Sequence, residues 1–497
     1  MEKDLYERFE DKAETLQSLG DIRELLHWDQ QVMMPEKGIK ARSKQNSKLA
    51  KIHHQKITSE ELSELIGELE PDIHGQEERA NIREIKRQHE RASRVPEEIE
   101  EKISEKESNT VKMWEQAREE DDFSVVEDDL RELVELKRKY ADAIDPEEEP
   151  YKVLFKDYEP YISYERMERI LQRLKEELTD LVDEIREAED IEGSVFRGHF
   201  PEEGQMKVSR QIVDNMGYDW DRGRLDVSEH PFTLGNQFDC RITTRFDEEN
   251  LAESIGATVH ECGHALYELG LPQDLYGTPA GSSRDLSVHE SQSRLWENHV
   301  FKSRSFLEYL LPELKEVFPD QFEDVSVDEA YRSLNRVDPE NLIRINADEV
   351  TYHLHIIIRF ELERALVNGD LEVEDLPDAW DRKYEKYLGI SADSELKGVL
   401  QDIHWYQGSI GYFPTYSLGS VLSAQIYRKA EEDIDSLDEK LASGEMQPLR
   451  DWLKENIHQK GCIYRTEELV EKVTGEKPTA DYFLEYVNAK FGELYDL

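Results

Sequence analysis

The stretch Val259-His260-Glu261-Cys262-Gly263-His264-Ala265-Leu266 constrains this chain more than any other. Leu251, Ile255, Cys262, Leu266 and Leu269 recur around it at helical spacing, and Gly270 is a stop signal. On a helix, side chains four residues apart share a face, with Cβ atoms about 5–6 Å apart. His260 and His264 therefore aim their imidazoles at one point. Two neutral imidazoles suit a zinc ion. Glu261 is rotated off that line, beside the metal rather than on it, where a general base for an activated water belongs. The bland alternative is an amphipathic helix carrying two solvated or core histidines.

A hydrolytic zinc site needs a third ligand from a separate element. The next helical pattern begins at Ser287-Val288-His289-Glu290 and continues Ser291-Gln292-Ser293-Arg294-Leu295-Trp296-Glu297-Asn298. A short Gly/Ser/Pro loop, 277–283, separates it from the first. Glu290 is the candidate ligand. Its structural alternative is a capping box with Ser287, and Glu297, two turns on, is its rival as ligand.

Charge narrows the partners. The 497-residue chain carries 113 acidic and 63 basic residues, a formal net charge of −50. A field of that sign repels phosphate, which excludes nucleic acid and anionic membranes as partners. The bulk reading is a hydrated acidic surface suited to high salt, where the Debye length falls to about 3 Å at 1 M. An acidic recognition surface is the alternative. Twenty-two Tyr, 16 Phe and 7 Trp argue for a packed core over disorder. Cys240, Cys262 and Cys462 form neither a ligand cluster nor a disulfide framework, as in a reducing, cytoplasmic compartment. The start of the chain lacks a signal-peptide pattern, and no run reaches the length of a membrane span.

In chain order, residues from about 4 to 34 predict a helix, with Trp28-Asp29-Gln30 near its end as a buried anchor. Residues 40–144 predict long acidic helices, and Asp145 to Pro150 a loop dividing an acidic part, about 1–145, from a catalytic part, about 151–497. Residues 151–191 return to helix, and the signal weakens over 193–223. Residues 225–233 and 238–246 alternate as short strands joined through Gly235-Asn236. An antiparallel strand beside the metal helix is placed to hold an extended peptide. Ser326 to Glu329 caps another helix, and Ile343 opens a long one to Gly369 with Ile356-Ile357-Ile358 buried. Arg344 either pairs locally with Asp348 or waits for a substrate carboxylate, which its planar fork matches. The charge-free segment 408–419 brings Tyr412 and Tyr416, either oxyanion donors or packing residues.

Together these residues resemble the Taq-type thermostable metallocarboxypeptidases. The matching motifs are His230-Pro231-Phe232, Asp239-x-Arg241-x-Thr243, His260-Glu261-x-x-His264 and His289 to Asn298. Ile343-Arg344-x-x-Ala347-Asp348 and Gly398-x-x-Gln401-Asp402-x-His404-Trp405 complete the set. Trp28-Asp29-Gln30 and Ala489-Lys490-Phe491 extend the likeness to both ends. The resemblance implies one mainly α body with a deep substrate groove, a small β element and a homodimer. It implies His260, His264 and Glu290 as metal ligands, Glu261 as general base, and zinc replaceable by cobalt. It also implies stepwise, broad-specificity release of C-terminal residues. Within that reading Tyr412 or His404 stabilises the oxyanion, and Arg344 holds the terminal carboxylate of the peptide, with Arg241 as second candidate and Tyr416 nearby. A zinc oligoendopeptidase and a non-catalytic, metal-stabilised peptide-binding scaffold are the competing functions.

Overall fold

The computed structural model describes residues 2–71, 73–191 and 193–497. Helices dominate: twenty-one α-helices among the described residues, with one three-stranded sheet. The predicted mainly α class therefore holds.

The first helix, Glu2–Val32, carries the Trp28 anchor, which is buried. Its Phe9, Ala13 and Leu16 join Leu62, Ile66, Ile82 and Ile85 in a small apolar cluster. A much larger cluster runs from Val95 to Tyr495 and holds everything around the site. The loop at residues 145–149 lies inside the sequence range of this larger cluster.

Several local expectations shift, each for a physical reason. The helix expected over 151–191 breaks into Pro150–Tyr158 and Tyr164–Glu187. Pro160 supplies no N–H, and Ser163 starts the second helix. The weak stretch after 193 contains a full helix, Glu202–Met216, opened after Pro201 and closed by Gly217 at φ 89°. The helix expected from Ile343 is a single 3-10 turn, Arg344–Asn346, followed by Thr351–Asn368. Asp348 makes that restart: its carboxylate accepts from the backbone N–H groups of Val350 and Thr351, each at 2.9 Å. Ile356, Ile357 and Ile358 are buried as expected.

The β element is mixed rather than antiparallel throughout. Strand β1 (Leu225–Val227) runs parallel to β3 (Cys240–Thr244), and β2 (Thr233–Gly235) runs antiparallel to it. The order β1-β3-β2 leaves β2 on an edge. Asn236 turns the chain, its side-chain oxygen accepting from the N–H of Phe238 at 3.0 Å. Gly235 sits at φ 139°, where any Cβ would collide with the Asp239 carbonyl.

Candidate metal centre

The His-Glu helix spans Leu251–Gly270. Its apolar face, with Leu251, Ile255, Val259, Cys262 and Leu266, is buried. The Glu290 helix, Leu286–Arg294, packs across it and continues as a π-helical segment, Leu295–Phe301. Close approach needs Gly263: a Cβ there would lie 2.7 Å from Cα of Ser293. A third helix, Pro414–Asp433, closes on the other side. Its Gly419 leaves the space that Glu290 fills; a Cβ would come within 2.4 Å of the Glu290 Cγ. Two glycines thus set the depth of one carboxylate.

The result is convergence. One ligand atom from each of His260, His264 and Glu290 lies within 4.8 Å of the others. Oε2 of Glu290 is 3.7 Å from Nε2 of His260 and 3.5 Å from Nε2 of His264. Ligands at about 2.0–2.1 Å from a tetrahedral zinc stand about 3.3–3.5 Å apart, so these separations fit a cation of that size. The capping box proposed for Ser287 and Glu290 does not form. Asp285 precedes the helix, and Ser287 instead donates its N–H and its hydroxyl to buried Glu159, each at 2.7 Å.

Both imidazoles are held from behind. Nδ1 of His260 lies 2.8 Å from Oε2 of Glu297, which makes the rival ligand an orienting partner. Nδ1 of His264 lies 2.6 Å from Nδ1 of His289, whose Nε2 meets Oε1 of Glu268 at 2.8 Å. Such partners favour the proton on Nδ1 of His260 and of His264, which leaves the Nε2 lone pair of each for the Glu290 side. Arg294 binds Nε to Oε1 of Glu290 at 2.8 Å and NH1 to Oε2 of Glu297 at 3.2 Å.

Electrostatics follow this geometry. Burial opposes ionisation of Glu290, but Arg294 and the two histidines hold its carboxyl well below the usual range. Burial, helped by His289, pushes His264 down to about 3, so its lone pair is free. Burial raises Glu261, against the pull of His260 and Thr233. A carboxylate with a raised pKa is the better proton acceptor. The Thr233 hydroxyl, on edge strand β2, donates to Oε2 of Glu261 at 2.7 Å.

Four more predicted residues gather on the Glu290 side. Nε2 of His404 lies 3.2 Å from the Tyr416 hydroxyl, and the Tyr412 and Tyr416 rings stand 5.1 Å apart. The Arg344 guanidinium lies 5.3 Å from the Tyr416 ring centre. Its fork is already engaged: Nε and NH2 bind Asp402 at 3.0 and 2.7 Å, not Asp348. Only NH1 is left, with a 3.4 Å contact to the Tyr352 hydroxyl. Arg241 does not join this group. It pairs with Asp239 at 2.7 Å and lies over the Trp28 ring at 4.3 Å. Opposed residues of an antiparallel pair share a face, so Thr233 and Ile242 face the His-Glu helix while Leu234 and Arg241 face away.

The missed residues are His289, Glu268, Arg294, Thr233 and the orienting role of Glu297. His289, Arg294 and Glu297 sit in the quoted motif, but motif membership does not say what a side chain touches. Glu268, one turn past His264, was the one readable signal.

The chain is matched over residues 8–491 by the family model described as Carboxypeptidase Taq (M32) metallopeptidase. Thermostable carboxypeptidase 1 of Thermus thermophilus is 39% identical over 492 residues, 96% of each chain. Carboxypeptidase 1 of Bacillus subtilis is 34% identical over the full length of both. Among solved structures, the M32 carboxypeptidase of Deinococcus radiodurans superposes with a TM-score of 0.96 at 34% identity, covering 99% of this chain and 100% of that one. Matched by that family model over residues 8–491 and 39% identical to a curated relative over 96% of each chain, the chain belongs to the Taq family of metallocarboxypeptidases.

Proposed function

We propose that this protein is a metal-dependent carboxypeptidase that releases amino acids one at a time, with broad specificity, from the C-terminus of peptides. The observation that carries this reading is the meeting of His260, His264 and Glu290 beside a pKa-raised Glu261. His260, His264 and Glu290 would hold zinc, for which cobalt would substitute, as the family resemblance implies. When bound, the metal supplies Lewis acidity to the scissile carbonyl and to a water.

The chain's own residues supply the remainder. Glu261 accepts the water's proton at Oε1 and returns it to the leaving amine, while Thr233 fixes Oε2. Glu297 and His289 hold the ligand imidazoles in one tautomer. Tyr412 or His404 would stabilise the charge that grows on the carbonyl oxygen, with the Tyr416 hydroxyl 3.2 Å from Nε2 of His404. NH1 of Arg344 donates to the terminal carboxylate. Asp402 fixes the guanidinium so that one corner remains available. Strand β2, whose Thr233 meets Glu261, would lie along the extended peptide.

No described helix is long and apolar enough to cross a membrane. The three buried free cysteines suit a reducing compartment, which supports a cytoplasmic location. The family resemblance supports a homodimer.

The experiment is product identification from one peptide offered with a free and an amidated C-terminus. Sequential release from the free form alone is expected. Equal cleavage of both would favour the oligoendopeptidase reading, and chelator-insensitive binding without cleavage would favour the scaffold.

A further inference from the structure

A second concavity opens at the far end of the same helices. The π segment Leu295–Phe301, the helix Pro414–Asp433 and the last helix, Asp481–Tyr495, enclose a pocket of about 310 Å³. None of its lining residues is a metal ligand. Its floor is aromatic: His299 stacks on Tyr427 with ring centres 4.9 Å apart and tilts against Tyr486 at 4.4 Å. Its rim is acidic, with Glu431, Asp438 and Glu485 against one cation, Arg428. Arg428 is itself exposed and turned toward Glu431 and Glu432, at 3.8 and 3.9 Å.

The floor also offers unused acceptors. Tyr427 is 7% exposed, and its hydroxyl has no hydrogen-bond partner among the described residues. Nδ1 of His299, a residue 5% exposed, has none either, and its Nε2 makes only a 3.4 Å contact with Ser423. The Tyr486 hydroxyl, by contrast, is occupied by Lys490 at 2.8 Å and by the Asn298 carbonyl at 3.2 Å. Both residues line the pocket, and neither atom is sealed from it, so a bound donor takes the place of water at each. A π-helical turn, itself a frequent mark of a functional site, presents His299 to this pocket.

We propose that this pocket binds an aliphatic ammonium group. The aromatic floor covers a methylene stem, Tyr427 and His299 accept N–H bonds, and the rim carboxylates balance the charge. An anion is repelled by the same rim, and a neutral alcohol leaves the carboxylates unanswered. Two sources share this chemistry: a free alkylamine and a lysyl side chain.

The test is calorimetric titration of the full-length, metal-loaded protein with n-hexylammonium at about 0.15 M salt, where diffuse attraction is screened. Saturable binding at a single site is expected, weakened about tenfold in the Glu431→Gln/Asp438→Asn double variant. Tyr427→Phe keeps the ring and removes the unpaired hydroxyl; it should weaken binding about threefold or more, and it carries the test alone if the double variant does not fold. Undiminished affinity in the variants would mean attraction to the net charge only and would overturn the proposal. So would equal binding of 1-hexanol, or no saturation by about 10 mM, weaker than the usual range for specific small ligands. An Nα-acetyl-lysine methylamide that binds as tightly as hexylammonium identifies a lysyl side chain as the ligand. A preference for hexylammonium identifies a free amine. Either result supports the site.

Discussion

Nδ1 of His264 and Nδ1 of His289 stand 2.6 Å apart, and His289 continues to Glu268. This contact ties His264 of the His-Glu helix to the residue beside Glu290 on the next helix. His289→Phe keeps a planar ring and removes the acceptor. Metal affinity should fall about 10–100-fold, read by competition with a chromogenic chelator. An unchanged affinity would show that the His264 tautomer is set elsewhere.

Glu261 accepts from Thr233 and is not one of the three converging side chains. Glu261→Gln should keep metal content and lose activity by about 10²–10⁴-fold. The two readouts are metal stoichiometry and kcat on one unblocked peptide. Full activity in the variant would reject the general-base role.

Gly419 faces Glu290 with no room for a methyl group. Gly419→Ala should cost about 1–3 kcal/mol of stability by overpacking and should weaken metal binding by displacing the carboxylate. Denaturant melts with and without added zinc separate the two effects. A variant with wild-type stability and affinity would mean that the helices part without consequence for the centre.

Glu363 is wholly buried between Tyr151, Trp405 and the backbone of Gly411, and burial pushes its pKa up to about 8. The folded form therefore holds a proton that the unfolded chain releases near 4.5. Its contribution to stability is fully present below that pH and is lost as pH rises toward about 8. Glu363→Gln should flatten this slope, so its stability relative to the parent improves between about pH 5 and about pH 8. Urea melts at both ends of the window decide it. A difference independent of pH would place an ionised carboxylate in the core.

The net charge of −50 makes self-repulsion a general load on the folded state. Raising salt from about 0.05 M to about 1 M should raise the thermal midpoint by screening it. Sodium chloride and potassium chloride should act alike. A midpoint that falls with salt would show that exposed ion pairs outweigh repulsion.

By itself the amino-acid sequence determined the helical class and the pairing of His260 with His264, because i,i+4 geometry is local and needs no tertiary contact. It also narrowed the third ligand to two carboxylates on one helix. Only the packed structure separates the two by geometry. Gly263 and Gly419 let three helices close until Glu290 meets both Nε2 atoms, while the π turn swings Glu297 to Nδ1 of His260. The same holds for the arginines. Arg344 and Arg241 look alike as chain letters. Yet Asp402, 58 residues from Arg344, fixes the first beside Tyr416, and the pleat of β3 turns the second toward Trp28. Such choices rest on distant partners and on the space left by missing methyl groups, and periodicity along a chain records neither.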